Sequence, residues 1–130
     1  MDALSGLHSV NPSDGTVEWA YTPSDRFVVS PAVAADTLVF GSDSGTLYAV
    51  GVDGAERWRV RTEGRIVSSA ATTPQSVFVG NDTGDLLCLD HAGDEQWRRS
   101  LGAPLRSSPA VVGDHVYVGS ENGNLYAVQY

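Results

Sequence analysis

The chain has no lysine, a single cysteine and no long hydrophobic run. All eight basic residues are arginines scattered without a cluster against sixteen acidic residues, for a net charge of −8. Such a balance repels phosphate backbones, so sequence-independent nucleic-acid binding is not expected. One thiol, Cys88, can supply neither an internal disulfide framework nor a cysteine-based zinc site, since each needs at least two. A membrane-spanning helix needs about 18 or more consecutive apolar residues, and no such run occurs. The opening MDALSGLHSV lacks the basic segment and apolar run of a secretory signal. That places the protein in the cytoplasm if the chain is whole and leaves its location open otherwise. No window carries a sustained 3.6-residue apolar period, so helices are not expected.

What is present suits a folded chain: 42% hydrophobic and 18% charged residues, with 14 glycines. Eleven aspartates and five glutamates without lysine resemble the composition of proteins from salt-loving archaea, where acidic surfaces maintain solubility at high ionic strength. A GC-rich genome, whose codons favour arginine, gives the same bias. Self-similarity decides the fold. Trp19, Trp58 and Trp97 are spaced by 39, as are Gly41, Gly80 and Gly119; Gly45, Gly84 and Gly123; Gly15, Gly54 and Gly93; and Ser30, Ser69 and Ser108.

Each full unit holds four short candidate strands, in the first case Phe27 to Val33, Thr37 to Gly41, Thr46 to Val50 and Glu56 to Arg61. Between them stand Ala35-Asp36, Asp43-Ser44-Gly45 and Asp53-Gly54, which suit tight reversals. A period near 40 with four strands predicts an all-β fold, a β-propeller of four-stranded antiparallel blades, here about three 39-residue units in one segment spanning 1–130. The expected divisions are a partial blade over 7–21, blades over 27–61 and 66–100, and a three-strand blade over 105–130 without a fourth strand. Side-chain size follows the taper of a propeller. The first strand of each unit is rich in Ser and Ala, later ones bring Phe40, Phe78, Tyr117, Tyr48, Leu87 and Tyr126, and the last brings Trp58 and Trp97. Strands two and three are near-continuous apolar runs because neighbouring blades cover both faces.

The segments SVNPSDGTVEW (9–19), AVGVDGAERW (49–58) and CLDHAGDEQW (88–97) resemble the tryptophan-docking motif of PQQ-like, quinoprotein-type β-propeller repeats. Their Gly and Trp columns are intact, whereas the motif's Asp is kept only as Asp90. The two shorter copies are similar to repeats of the outer-membrane assembly scaffold lipoprotein. The resemblance implies that Trp19, Trp58 and Trp97, with Gly15, Gly54 and Gly93, lock adjacent blades together. It also raises the cofactor. Quinone-dependent enzymes similar to this family hold PQQ beside paired adjacent cysteines, with a carboxylate-bound calcium and an Asp base inside eight blades. One cysteine and too few blades do not meet that description, so no cofactor, no metal and no enzymatic activity are expected.

Other chemistry is sparse. His8, His91 and His115 stand at unrelated positions in the unit, and Cys88 occupies an Ala column inside a strand, which reads as a small buried hydrophobe. The up-down meander does place two sets on one face of the disc: Asp43, Asp82 and Glu121 in the turns between strands two and three, and Arg26, Arg65 and Arg106 in the loops before the first strand. They form a polar rim where a peptide, a sugar or a cation could sit; the alternative is turn-bonded aspartates and solvated arginines. Asn81-Asp82-Thr83 is formally a glycosylation acceptor within a required turn.

The division of the unit predicts a partner. Either copies of the chain complete a ring by strand exchange, with Val17 to Tyr21 supplying a fourth strand, or the remainder of a longer propeller does so. The function expected is a non-enzymatic scaffold that binds a protein or peptide through its rim or by strand addition. Alternatives are a small-ligand or cofactor site formed on assembly, and a fragment of a quinoprotein dehydrogenase.

Overall fold

The computed structural model describes residues 6–27 and 29–130. Among the described residues, thirteen antiparallel strands form four sheets. A hairpin pairs β1 (Leu7–Val10) with β2 (Val17–Tyr21). The first blade is the meander β3 (Ala32–Ala34), β4 (Thr37–Gly41), β5 (Thr46–Gly51) and β6 (Glu56–Arg61). The second repeats it as β7 (Ala71–Thr72), β8 (Val77–Gly80), β9 (Asp85–Leu89) and β10 (Glu95–Ser100). The third has β11 (Ala110–Val112), β12 (His115–Gly119) and β13 (Leu125–Gln129). The described part is all-β, built from consecutive antiparallel blades, and its ring is not closed.

The hydrophobic core lies between the sheets. Phe40, Tyr48 and Val50 of the first blade pack against Leu7, Trp19 and Tyr21 of the hairpin. On the blade's other face, Val39, Leu47 and Ala49 meet Val77, Val79, Leu87 and Leu89 of the second. Phe78, Leu86 and Cys88 then meet Val116, Val118 and Tyr126 of the third. Side chains alternate faces along a strand, so a middle strand between two neighbours must be apolar at every position. In β5 every residue is buried, whereas β13 alternates between exposed and half-buried because one of its faces is bare. The connection into each blade adds an apolar side chain from one repeated column to each interface: Phe27, Ile66 and Leu105.

The innermost strands are shorter than the sequence suggests. Within the expected span Phe27 to Val33, only Ala32 and Val33 join the ladder, which continues to Ala34; Val28 lies outside the described residues. The second blade pairs only Ala71 and Thr72 with β8. The Ser- and Thr-bearing stretches direct hydrogen bonds sideways to the neighbouring blades instead. The Ser69 amide donates to Ser108 Oγ at 3.0 Å, and Thr72 Oγ1 donates to the Val33 carbonyl at 2.7 Å. Pro31 and Pro109 have no N–H to give a ladder.

Candidate functional site

Each tryptophan of the repeat follows a bulge. The register of the third and fourth strands shifts once just before Trp19, Trp58 and Trp97, leaving Glu18, Arg57 and Gln96 without a direct partner. A bulge of this kind bends the strand and redirects the side chain beyond it. Trp19 reaches from the hairpin to the first blade, where its indole N–H donates to the Val52 carbonyl at 3.0 Å. Trp58 makes the same 3.0 Å bond to the His91 carbonyl of the second blade. Both rings lie on the glycine two residues beyond the accepting carbonyl. A Cβ on Gly54 would stand 2.9 Å from the Trp19 ring, and one on Gly93 would stand 2.7 Å from the Trp58 ring. Gly93 also has φ of 88°, a left-handed backbone that an L side chain adopts at a cost. Trp97 packs on Phe78 at 6.0 Å between centroids and lies under the Arg99 guanidinium. The bulge has no residue type of its own, so composition and spacing could not reveal it.

The rim residues pair with one another. Arg65 Nε donates to Asp43 at 2.9 Å, and Arg26 lies 3.8 Å from the same carboxylate. Arg106 bridges Asp82 at 3.2 Å and Glu121 at 3.1 Å. Asp43–Arg65 and Asp82–Arg106 therefore tie one unit's turn to the next unit's loop. The turns themselves are held by the preceding residue. Ser42 Oγ accepts from the Thr46 amide, and Asn81 Oδ1 accepts from the Thr83 and Asp85 amides. Asn81 is fully buried, and its amide nitrogen donates to the Thr62 carbonyl at 3.0 Å, which leaves no accessible glycosylation acceptor.

A polar network fastens the connection before the first blade. Asp25 accepts from Ser44 Oγ at 2.6 Å, from Tyr48 Oη at 2.7 Å and from the Arg26 amide at 2.9 Å. Partial burial pushes this carboxyl up, but the hydrogen bonds outweigh it and hold the group down at about 2. Burial and the neighbouring Asp25 charge push Tyr48 up to about 12. Tyr21 of the hairpin bonds Glu56, and Arg59 clamps the same carboxylate while lying 5.0 Å over the Tyr48 ring.

The remaining candidates stay apart. His91 Nε2 lies 2.8 Å from the Thr73 carbonyl, and His115 pairs with Asp114 at 2.7 Å. Cys88 is buried within β9, and burial pushes its thiol up, away from the reactive thiolate. Among the described residues no three His, Cys, Asp or Glu side chains gather as metal ligands. With no second thiol beside Cys88, these residues do not fit a quinone and calcium site of the kind the repeat resemblance raises. No helix long and apolar enough to cross a membrane occurs among the described residues.

The sheet edges differ in character. β6 and β10, outermost in their blades, carry the ion pairs Arg59–Glu56 at 2.6 Å and Arg98–Glu95 at 2.9 Å. β13 is the edge of the third blade, and its sequence LYAVQ has no charge.

A family model described as outer membrane protein assembly factor BamB matches residues 45–129. No curated protein matches the sequence. Among solved structures, BamB from Moraxella catarrhalis is similar with a TM-score of 0.84 at 23% identity, covering 97% of this chain and 41% of that one. The chain thus spans about two-fifths of that structure's length. The computationally designed Ika4 protein gives a TM-score of 0.85 at 13% identity, covering 96% of this chain and 79% of that one. A quinohemoprotein alcohol dehydrogenase, ADHIIG from Pseudomonas putida HK5, gives 0.74 at 18% identity, with 84% of this chain and 20% of the other covered. At these identities the likeness is one of fold.

Proposed function

The chain belongs to the PQQ-like β-propeller repeat family whose model is described as outer membrane protein assembly factor BamB, and from that premise we propose that it is a non-enzymatic scaffold that binds polypeptide by strand addition. The observation that carries this reading is the contrast between edges: β6 and β10 are guarded by paired charges, whereas β13 offers an uncharged apolar ladder. The rim is a weaker candidate, since its carboxylates and guanidinium groups are already paired with each other. The occupant of the β13 edge is an extended segment with an aromatic residue in the fourth-strand pattern. It comes from a second protein, from another copy of the chain through Val17–Tyr21, or from a further repeat. Trp19, Trp58 and Trp97 on the Gly15, Gly54 and Gly93 columns serve as locks between units rather than as ligand contacts.

The test uses a synthetic peptide with the sequence of residues 94–101, a native fourth strand, titrated into the protein and followed by calorimetry and by melting temperature. Binding with a raised melting temperature is expected, and a peptide N-methylated at alternate amides is expected to lose it because it cannot form a ladder. Equal binding of both peptides, or of neither, overturns strand addition. Reading the chain as a segment of a quinoprotein dehydrogenase predicts instead PQQ- and calcium-dependent dye reduction. Reading it as a small-ligand propeller predicts a melting shift with that ligand and none with the peptide.

A further inference from the structure

The outward face of the third blade repeats columns that are covered in the other two. Val39, Leu47 and Ala49 in the first blade and Phe78, Leu86 and Cys88 in the second are buried by the blade that follows. Tyr117, Leu125 and Ala127 hold the same columns in the third, where Leu125 is 73% and Tyr117 36% exposed. A cleft of about 330 Å³ opens beside them over Gly119, between Arg106, Ser107 and Glu121. The two equivalent positions are filled. Ile66 from the connection into the second blade sits directly on Gly41, and Leu105 from the connection into the third sits on Gly80. Those two interfaces show what covers this surface: apolar side chains of another unit of the same repeat, including one that fits over the glycine.

The opposite end of the molecule carries a bare surface of matching kind. Leu7, Trp19 and Tyr21 of the hairpin pack on the first blade. Val10 and Val17, paired across the ladder, are left 52% and 57% exposed. We propose that the outward face of the third blade is a docking surface for a second copy of this chain, which seats its hairpin there through Val10 and Val17. The contact is head to tail, continuing the internal stack of sheets from one molecule into the next, and it needs no added strand. Each copy carries a charge of −8, so the copies repel at low ionic strength and associate more tightly as salt screens them.

Sedimentation velocity across a concentration series at low and molar salt tests the proposal. The wild-type chain is expected to show reversible, concentration-dependent association that strengthens with salt. Leu125→Arg spoils the face and Val10→Arg spoils the hairpin, and each is expected to weaken association by roughly tenfold or more, because an arginine would be buried against apolar groups. Both substitutions stand at exposed positions, so at a dilution where copies do not meet each variant melts like the wild type. The decisive sample is their mixture. One intact face and one intact hairpin remain, and a one-to-one heterodimer that does not grow is expected. A wild type that stays monomeric at every concentration and salt level, a Leu125→Arg chain that associates like wild type, or a mixture that fails to pair each overturns the proposal. Loss of peptide binding at the β13 edge leaves these masses unaffected, so the two readings fail separately.

Discussion

Trp58 spans the gap between the first two blades with one hydrogen bond and one ring face, and both depend on its neighbour. The His91 carbonyl accepts the indole proton, and Gly93 is bare because the ring occupies the space a Cβ would need. The residue is half-buried, which sets its worth at the lower end of a large-to-small substitution. Trp58→Ala is expected to cost about 3 kcal/mol. Trp97 makes no equivalent carbonyl bond among the described residues, so Trp97→Ala is expected to cost less by about 1 kcal/mol, the net value of one hydrogen bond. Urea unfolding of the two variants beside the wild type measures the difference, and equal losses would show that the docking bond contributes nothing. The tryptophan and glycine columns were legible in the sequence because they recur every 39 residues. Which carbonyl accepts was not, because a carbonyl leaves no trace in residue type.

Between elements, the attachment of the hairpin to the first blade rests on Asp25, Ser44 and Tyr48 as well as on apolar packing. A carboxyl lowered from its ordinary value near 4 to about 2 contributes stability that is present in full above about pH 4. That contribution is lost as pH falls from about 4 through 2, because the folded state then has to take up a proton it resists. Tyr48, raised to about 12, contributes stability that is full below about pH 10 and lost above it. Melting temperature measured against pH should therefore fall less steeply between pH 4 and 2 in Asp25→Asn than in wild type, with the variant the less stable at neutral pH. The sequence placed the middle and outer strands closely, since LVFG and LYAV are apolar on both faces and the turns between them are marked by Gly and Asp. It overextended the inner strand, where Ser69 and Thr72 take partners on the neighbouring blades. The rim shows a similar limit: the columns put Asp43 and Arg65 on one side of the disc, and only the packing of one unit on the next brings them to 2.9 Å.

For the whole molecule, sixteen acidic and eight basic residues leave an excess that the surface ion pairs reduce only locally. Mutual repulsion of the unpaired carboxylates opposes compaction, and screening relieves it within about 10 Å at 0.1 M salt. The melting temperature of the chain is therefore expected to rise from low to molar potassium chloride at a dilution where copies do not meet. A melting temperature that falls with salt would mean that its ion pairs outweigh its net charge. The third blade differs from the second in having an exposed outward face. Its middle strand β12 alternates where β8 is buried throughout, because one face of β12 is uncovered in the same kind of sheet.

The sideways bonds between inner strands, Ser69 to Ser108 and Thr72 to Val33, each join residues 39 apart. That distance is the repeat itself, so the loop that must close to add a blade is the same length for every blade. The entropy of each closure then stays constant along the chain. Assembly can start at one blade and advance to the next at an even rate, including while the chain is still being synthesised. Only the joining of first and last blades in a closed ring would require a longer search, and it would be the slow event in folding.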